Sequence, residues 1–219
     1  MAKKHIKSKE KGFTIIEVVL VLAIAGLIFL MVFVALPALQ RSQRDTQRRN
    51  DMTRVDTALA NYQTNNSSTT NVTNLPEPAA GGAKWTAPDD RTFGEEGCGD
   101  NIACSFIRDY MNSGVDSDNA KPNTFEDPSG EPYNLVILPN VKTNAAALAA
   151  TYTGTDNAGH SVKMTNGTIV NEAGAFEAHT VFIVPGGKCN GEKAEVSSKN
   201  DSAVLYRLEG SGVYCIDNQ

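Results

Sequence analysis

The chain has 219 residues and a formal net charge of −5, a length that allows one extended helix and one globular domain. The charge is unevenly distributed: residues 1–12 carry five Lys and one Glu (+4), residues 13–65 carry five Arg and four acidic residues (+1), and residues 66–219 carry ten basic and twenty acidic residues (−10). An acidic C-terminal part repels nucleic-acid phosphates, so the composition excludes bulk electrostatic binding of nucleic acid, and we expect no specific nucleic-acid partner.

A long apolar segment follows the basic leader. It runs over 24 residues from Phe13 to Leu36. At about 1.5 Å per residue, a helix of this length measures about 36 Å and can cross a bilayer core of about 30 Å. The apolar core of a cleaved secretory signal is shorter, about 7–15 residues. The leader charge predicts that the N-terminus stays in the cytoplasm and that the remainder is exported.

Glu17 is the one charged residue in the segment from Phe13 to Leu36. A carboxylate inside a membrane helix costs on the order of 2.5–3.5 kcal/mol at the helix centre and usually marks a function. A plain membrane anchor has no need of this charge. The sequence therefore predicts a functional carboxylate near the N-terminal end of the span.

The residues at the start of the span, Lys11-Gly12-Phe13-Thr14 followed by Glu17, resemble the N-terminus of type IV pilins and pseudopilins. The resemblance implies that a prepilin peptidase cuts between Gly12 and Phe13 and that the new amino group of Phe13 is methylated. It also implies that Glu17 pairs with the terminal amine of a neighbouring subunit during assembly. The partners implied are identical or related pilin subunits, an assembly platform protein and cytoplasmic ATPases.

Residues 13 to about 64 are predicted to form one helix, with a transmembrane half at 13–36 and an amphipathic half at 37–64. In the second half four apolar residues recur every three or four positions: Met52, Val55, Leu59 and Tyr62. They share one face of the helix, which we expect to pack against a domain. Gly26 and Pro37 interrupt the apolar pattern and predict a kink, in a segment that we expect to stretch when the subunit enters a filament.

Five arginines follow the apolar segment: Arg41, Arg44, Arg48, Arg49 and Arg54. They lie on the side of the span that is exported. Two interpretations are open. The arginines contact acidic surfaces of neighbouring subunits, or they form a solvated face of the helix.

Turn-forming residues dominate residues 65–101, which predicts a variable surface loop, and residues 102–112 are expected to form a short helix. The residues Asp127-Pro-Ser-Gly130-Glu-Pro-Tyr133 resemble the D-P-x-G-x-P-Y turn of pseudopilins and many pilins. The apolar run after this turn predicts a strand. Four further strands are predicted, the last two joined in a hairpin by a Gly-Ser-Gly turn: 160–165, 179–184, 203–208 and 212–216.

All four cysteines lie in the part predicted to be exported: Cys98, Cys104, Cys189 and Cys215. An even number in an oxidising compartment predicts two disulfides. Four cysteines allow three pairings, and we favour Cys98–Cys104 and Cys189–Cys215 because each pair is close in sequence.

No pattern predicts a metal, a cofactor or a catalytic site. The cysteine spacings are not those of a zinc site, and His160 and His179 belong to no recognisable ligand pattern. The segment Asp116-Ser-Asp118-Asn119 begins like a calcium loop but lacks the glycine and the glutamate that an EF-hand requires. We therefore predict that the protein is not an enzyme and assign it no metal or cofactor site. We favour a solvated acidic turn at 116–119, and the alternative that the resemblance to pseudopilins leaves open is a calcium-binding loop.

Together these features predict an α+β protein in which a long N-terminal helix packs on an antiparallel β-sheet, as in pilins. The predicted domains are the leader 1–12, the span 13–36, the amphipathic half 37–64 and a globular domain at 65–219. The resemblance implies a precursor in the cytoplasmic membrane, with its N-terminus inside, and an extracellular pilus that serves adhesion, twitching motility or DNA uptake. Two alternatives are a pseudopilin of a type II secretion or competence system and a single-span surface protein that does not polymerise.

Overall fold

A single 51-residue helix, α1 (Ile15–Asn65), forms the N-terminal part of the fold. The structure is a computed structural model and describes residues 12–66, 82–85, 102–111, 125–156, 158–170, 176–210 and 212–218. The chain divides into two units, Met1–Ser42 and Gln43–Gln219, so that α1 belongs to the first unit up to Ser42 and to the second beyond it.

In the first unit the large apolar side chains of α1 are exposed, from 85% at Ile15 to 45% at Leu36. Exposed apolar surface of this extent marks a membrane or protein-binding segment. By length and composition α1 is able to cross a membrane. Helical structure continues through Gly26 and Pro37 without a break, and the stretching of this segment in a filament stays a prediction.

In the second unit α1 becomes amphipathic, as its sequence predicts. Met52, Val55 and Leu59 are fully buried, and Tyr62 packs against the same core. These residues lie three or four positions apart, so they form one stripe along the helix. The helix is therefore held to the second unit by the face that periodicity identifies.

Two five-stranded sheets form the body of the second unit. The first has the order β1-β2-β6-β9-β10, and its strands are β1 (Ala83–Trp85), β2 (Asn134–Ile137), β6 (Thr180–Pro185), β9 (Ser202–Arg207) and β10 (Val213–Asp217). β2 and β6 are parallel, whereas the other neighbours are antiparallel. The β9–β10 pair is the predicted C-terminal hairpin, with Val213 opposite Arg207.

The second sheet is antiparallel throughout. Its order is β3-β4-β5-β8-β7, and its strands are β3 (Tyr152–Thr155), β4 (Ser161–Thr165), β5 (Thr168–Ile169), β8 (Lys193–Val196) and β7 (Gly187–Asn190). Two short helices complete the described elements. α2 (Ile102–Phe106) continues into a π-helical turn, Ile107–Met111, and α3 is Ala145–Ala149.

The first sheet is buried on both faces because its side chains alternate between two cores. Val181, Ile183 and Val204 face α1 and α2, where they join the stripe of α1. Phe182, Val184 and Leu205 face the opposite way and pack against the second sheet. β6 is buried along its whole length for this reason, and the unit has three layers: helices, first sheet and second sheet.

The two sheets are joined covalently at one edge. Cys189 in β7 and Cys215 in β10 form a disulfide, with their Cα atoms 5.8 Å apart. The backbone N–H of Cys189 also donates a hydrogen bond to Asp217 Oδ2 at 2.5 Å. The last strand is therefore tied to both sheets.

The α+β fold predicted from the sequence is confirmed, with two differences in the sheets. A second sheet packs behind the first, whereas one antiparallel sheet was predicted, and the first sheet contains the parallel β2–β6 pair. The predicted loop 65–101 also contributes the short strand β1, which pairs with β2. A three-residue strand among turn-forming residues carries no periodic signal, because alternation needs about four residues to be read.

Candidate functional site

The first candidate site is the N-terminal end of α1, which begins immediately after Thr14. Thr14 Oγ1 and the backbone N–H of Thr14 each donate a hydrogen bond to Glu17 Oε2, both at 2.8 Å. The backbone N–H of Glu17 in turn donates to Thr14 Oγ1 at 3.4 Å. This reciprocal pattern is a capping box, which satisfies backbone N–H groups that have no partner within the helix.

Gly12 and Phe13 precede the cap and are outside the helix. Phe13 is 87% exposed. A Cβ atom added at Gly12 would meet no other atom within 4 Å. The fold of the described residues therefore does not require glycine at position 12, and both residues of the Gly12–Phe13 peptide bond are exposed.

Glu17 is exposed and lies among exposed apolar side chains, including Ile16 and Val18. Its hydrogen bonds with Thr14 all use Oε2. Within the described residues Oε1 accepts no hydrogen bond. An ionised carboxylate has about four acceptor positions, so Glu17 can cap its own helix and still accept a donor from another molecule.

The second candidate site is an ion network that joins α1 to two turns of the second unit, and we call it the arginine network. Its members are Arg44, Asp45, Arg48, Asp127 and Glu209. At its centre, Arg48 Nε donates to Asp127 Oδ2 at 2.6 Å and Arg48 Nη2 donates to Asp127 Oδ1 at 3.0 Å. The Arg48 side chain is 2% exposed and the Asp127 side chain 0%. Such a two-pronged pair is among the stronger hydrogen-bonded contacts in proteins.

The network also binds the turn between β9 and β10. Arg48 Nη1 donates to Asp45 Oδ1 at 2.9 Å and to Glu209 Oε2 at 3.1 Å. Arg44 donates to both carboxylate oxygens of Glu209, at 2.8 and 2.5 Å. Asp45 accepts the backbone N–H groups of Glu209 and Gly210 at 3.0 and 2.8 Å. The first turns of α1 in the second unit are thus fixed to a turn near the C-terminus.

Asp127 is the aspartate of the turn Asp127-Pro-Ser-Gly130, and its carboxylate is fully occupied. Besides Arg48, it accepts the backbone N–H of Ser129 at 2.9 Å and the hydroxyl of Tyr206 at 3.3 Å. His179 Nδ1 lies 3.7 Å from Asp127 Oδ2. The turn motif therefore supplies the buried carboxylate that receives an arginine from the helix.

Pairing within the arginine network shifts the pKa values of its carboxylates and of Arg48. Burial alone would raise the pKa of Asp127, but His179, Arg48 and Ser129 outweigh it and hold that pKa well below its usual range. The hydrogen bond from Arg44 lowers the pKa of Glu209 to about 2. Burial opposes the charge of Arg48, but its bonds to Asp127 and Asp45 raise the pKa above its ordinary value. Both carboxylates therefore stay ionised in mildly acidic solution.

The structure corrects both interpretations of the arginine cluster for its two central members. Arg48 is neither solvated nor free to reach another subunit, because it is buried against carboxylates of its own chain. Arg44 forms an ion pair with Glu209 of the same chain. In the sequence Arg48 is separated from Asp127 by 79 residues and from Glu209 by 161. The local sequence around the arginines therefore does not indicate these partners. Arg49 and Arg54 lie over the rings of Tyr214 and Phe125.

Other predicted positions have mixed outcomes. Cys104 is buried, while Cys98 lies outside the described residues, so the Cys98–Cys104 pairing stays a prediction. The segment Asp116–Asn119 also lies outside them. Within the part of the chain that the structure describes, no group of three or more His, Cys, Asp or Glu side chains is arranged to hold a metal ion.

One functional residue was readable but not predicted from the pattern. Thr14 and Glu17 have the spacing of a capping box, a threonine followed three residues later by a glutamate at a helix start. The resemblance to pilins implies a pairing role for Glu17 but assigns no separate role to Thr14. The structure places the two side chains in direct contact.

The comparisons with known proteins bear on the first site. Residues 7–33 match the family model described as the prokaryotic N-terminal methylation motif. No curated protein and no solved structure matches the chain at a significant level. The match includes the second half of the basic leader, Gly12, Phe13 and Glu17, and most of the apolar segment, and it is confined to the N-terminal part of the chain. The chain thus carries at residues 7–33 the prepilin signature of type IV pilins and pseudopilins.

Proposed function

We propose that this protein is a prepilin, the structural subunit of a type IV pilus, and acts by assembly with no enzymatic activity. The observation that carries the proposal is the methylation motif at the start of an exposed apolar helix that is joined to a folded unit. The motif belongs to pilin-like structural proteins. Such a molecule can be stored in a membrane and later packed with copies of itself.

Processing would take place at the Gly12–Phe13 bond. The prepilin peptidase removes residues 1–12 and so deletes a net charge of +4, and the new amino group of Phe13 is methylated. The exposure of Phe13 and the open space at Gly12 support access to this bond. The described fold does not require glycine at position 12. Gly12 would therefore be needed for recognition by the peptidase.

Assembly would move the apolar half of α1 from lipid into the core of a filament. Lipid and filament core are similarly apolar, so this transfer gains little free energy by itself. Close packing and a specific polar contact must therefore determine the register of subunits. The carboxylate of Glu17 meets this need by pairing with the terminal amine of a neighbour. A buried ion pair of this kind is better suited to specificity than to raw stability.

A pseudopilin of a type II secretion or competence system is the second candidate. The D-P-x-G-x-P-Y turn at Asp127–Tyr133 supports it, since that turn is common in pseudopilins. In this chain the aspartate of the turn, Asp127, binds Arg48. A role in stability is enough to explain why the turn is present, so the turn does not distinguish a pilus from a pseudopilus. We favour the pilus because the second unit is large, Gln43–Gln219, and because a disulfide binds its C-terminal strand, β10, to β7.

The test is mass spectrometry of the N-terminus of protein sheared from cells that express the full chain with its own assembly machinery. The proposal expects a chain that begins at Phe13 with an N-methyl group, recovered in surface filaments. A chain that begins at Met1, or that is cut after the apolar segment, would contradict the pilin pathway. Correct processing without recovered filaments would favour a pseudopilin, whereas an unprocessed chain that stays in the membrane would favour a single-span surface protein.

A further inference from the structure

The connection between β3 and β4 carries a histidine whose two ring nitrogens face two different carboxylates. His160 Nδ1 lies 2.7 Å from Asp156 Oδ2, and His160 Nε2 lies 3.4 Å from Glu177 Oε2. Asp156 belongs to the same connection, whereas Glu177 belongs to the turn 176–178 that precedes β6. The imidazole therefore bridges the second sheet and the segment that leads into the central strand of the first sheet.

The contact between His160 and Asp156 is fixed by the backbone. Asp156 Oδ1 accepts the backbone N–H of His160 at 2.7 Å, and the backbone N–H of Asp156 donates to the backbone oxygen of His160 at 3.1 Å. An ionised carboxylate only accepts hydrogen bonds, so Nδ1 carries a proton whenever it is bonded to Asp156. Asp156 thus determines both the orientation of the ring and the tautomer of its neutral form.

The contact between His160 and Glu177 differs, because it depends on the charge of the ring. In the imidazolium both ring nitrogens carry a proton, and Nε2 is a donor toward Glu177. When the ring loses one proton, Asp156 retains the proton on Nδ1, so the proton leaves from Nε2. Nε2 then becomes an acceptor that faces the carboxylate of Glu177, which is also an acceptor. The contact with Asp156 is therefore available in both forms of the ring, and the contact with Glu177 in the charged form alone.

We propose that His160 is a pH-sensitive link: the imidazolium holds the turn 176–178 to the β3–β4 connection, and its deprotonation releases Glu177 while Asp156 keeps the ring in place. The link goes beyond the proposed function, because it lies in the folded second unit and needs no second subunit. Among the described residues, Asp156 and Glu177 are the charged groups that face the ring from the two segments packed against it.

The direction of the pH dependence follows from the same contacts. The hydrogen bond with Asp156 raises the pKa of His160 above its ordinary value, and the charge of Glu177 acts in the same direction. A group whose pKa is raised on folding contributes stability that is complete below the unfolded value, which is about 6.5 for histidine. That contribution is lost as the pH rises through the folded value. The link is therefore closed in mildly acidic solution and open in alkaline solution.

The experiment compares the parent with Glu177→Gln, as full chains in detergent micelles, from about pH 5.5 to about pH 8.5. Glutamine keeps the size of glutamate and removes its charge. Glu131→Gln is the matched control, because Glu131 is another exposed glutamate of the second unit. Chains labelled with isotopic histidine report the titration of the ring by NMR, and His160→Gln identifies its signal among the three histidines. Hydrogen exchange measured by mass spectrometry reports the opening of residues 176–179, after correction for the intrinsic rate of each sequence.

At the acidic end we expect residues 176–179 to exchange up to about five-fold more slowly in the parent than in Glu177→Gln, since one exposed ion pair contributes no more than this. The difference should vanish at the alkaline end. The pKa of His160 should be lower in Glu177→Gln than in the parent, and Glu131→Gln should behave like the parent. An unchanged pKa of His160 in Glu177→Gln would overturn the inference, as would equal exchange of the two chains at acidic pH or a difference in exchange that is the same at every pH. These measurements need no filament, so their result is separate from the test of the proposed function.

Discussion

Arg48 and Asp127 lie 79 residues apart in the chain and form a two-pronged ion pair from which solvent is excluded, with nitrogen–oxygen distances of 2.6 and 3.0 Å. The pair joins the long helix to the turn that precedes β2. Asp45 and Glu209 complete the charge around Arg48 and bring in the β9–β10 turn. One arginine therefore connects three separated parts of the chain.

The first prediction concerns this pair. Arg48→Ala should lower the free energy of unfolding by about 3–5 kcal/mol, because it leaves the buried Asp127 without its counter-charge. The control is Arg54→Ala, since Arg54 is half exposed, 3.4 Å from Asp51 and over the ring of Phe125, and at exposed sites an ion pair and a cation–π contact each contribute about 0–1 kcal/mol. Chemical denaturation of the full chain in detergent micelles measures both. Equal effects of the two substitutions would contradict the central place of Arg48.

The second prediction is a pH dependence. The pKa of Glu209 is lowered to about 2, against about 4.3 for an unfolded chain. A lowered pKa contributes stability that is complete above the unfolded value and is lost as the pH falls toward the folded one. The stability advantage of the parent chain over Glu209→Gln should therefore be constant near neutral pH and should shrink between about pH 5 and pH 2.

The comparison between these two chains isolates Glu209 from other carboxylates. Burial raises the pKa of Asp51 and of Asp56, so these two groups change stability in the opposite direction on acidification. They are present in both chains, and their effect cancels in the difference. Denaturation midpoints recorded at steps of pH test the prediction. An advantage that stays the same down to the lowest pH would show that the pairing with Arg44 does not lower the pKa of Glu209.

The third prediction concerns the edge where the two sheets are joined. Replacing Cys189 and Cys215 together by serine should cost about 2–4 kcal/mol of stability, because the disulfide closes a loop and so restricts the unfolded chain. Asp217→Ala removes the hydrogen bond that the backbone N–H of Cys189 in β7 donates to β10. The two changes act on the same edge, so their effects should not add. Strict additivity in a double-mutant cycle would indicate that the two links are independent.

The fourth prediction separates the two roles of Glu17. Glu17→Ala should leave cleavage and methylation intact and should block or strongly reduce filament assembly. Glu17→Gln should assemble as poorly, although glutamine also occupies the third position of a capping box, because it lacks the charge that pairs with an amine. Mass spectrometry and sheared-filament yield are the measurements, with the exposed Glu131→Ala as control. Normal piliation in Glu17→Gln would show that capping, and not charge, is the role of this residue.

The helix and its buried face follow from the sequence because periodicity is a local property. The spacing of Met52, Val55 and Leu59 is enough to predict the face of the helix that packs. The Gly-Ser-Gly sequence likewise predicts the β9–β10 hairpin. The start of the apolar segment is equally local, so the motif that contains Gly12, Phe13 and Glu17 is recognisable without a structure, while the roles of these three residues stay predictions.

The features that the sequence did not reveal depend on distant pairing. Nothing in the local sequence distinguishes Arg48 from Arg44 and Arg49. The fold is needed to show that Arg48 is the arginine that pairs with Asp127. The parallel pairing of β2 with β6 joins segments 46 residues apart at Asn134 and Thr180, and β1 is too short to show alternation. Such contacts depend on tertiary packing, which local propensity does not encode.

The position of the arginine network along the chain has a consequence for biosynthesis. Arg48 is made first, whereas its partner Glu209 follows 161 residues later and Gly210 comes directly after that. β9 and β10, which complete the core around the stripe of α1, are also among the last segments to be added. Contacts between distant segments form slowly, so the stripe of α1 stays incompletely covered until β9 has been made. A nonsense mutation before Ser202 would consequently leave this stripe without Val204, Tyr206 and Leu208, which belong to the same core.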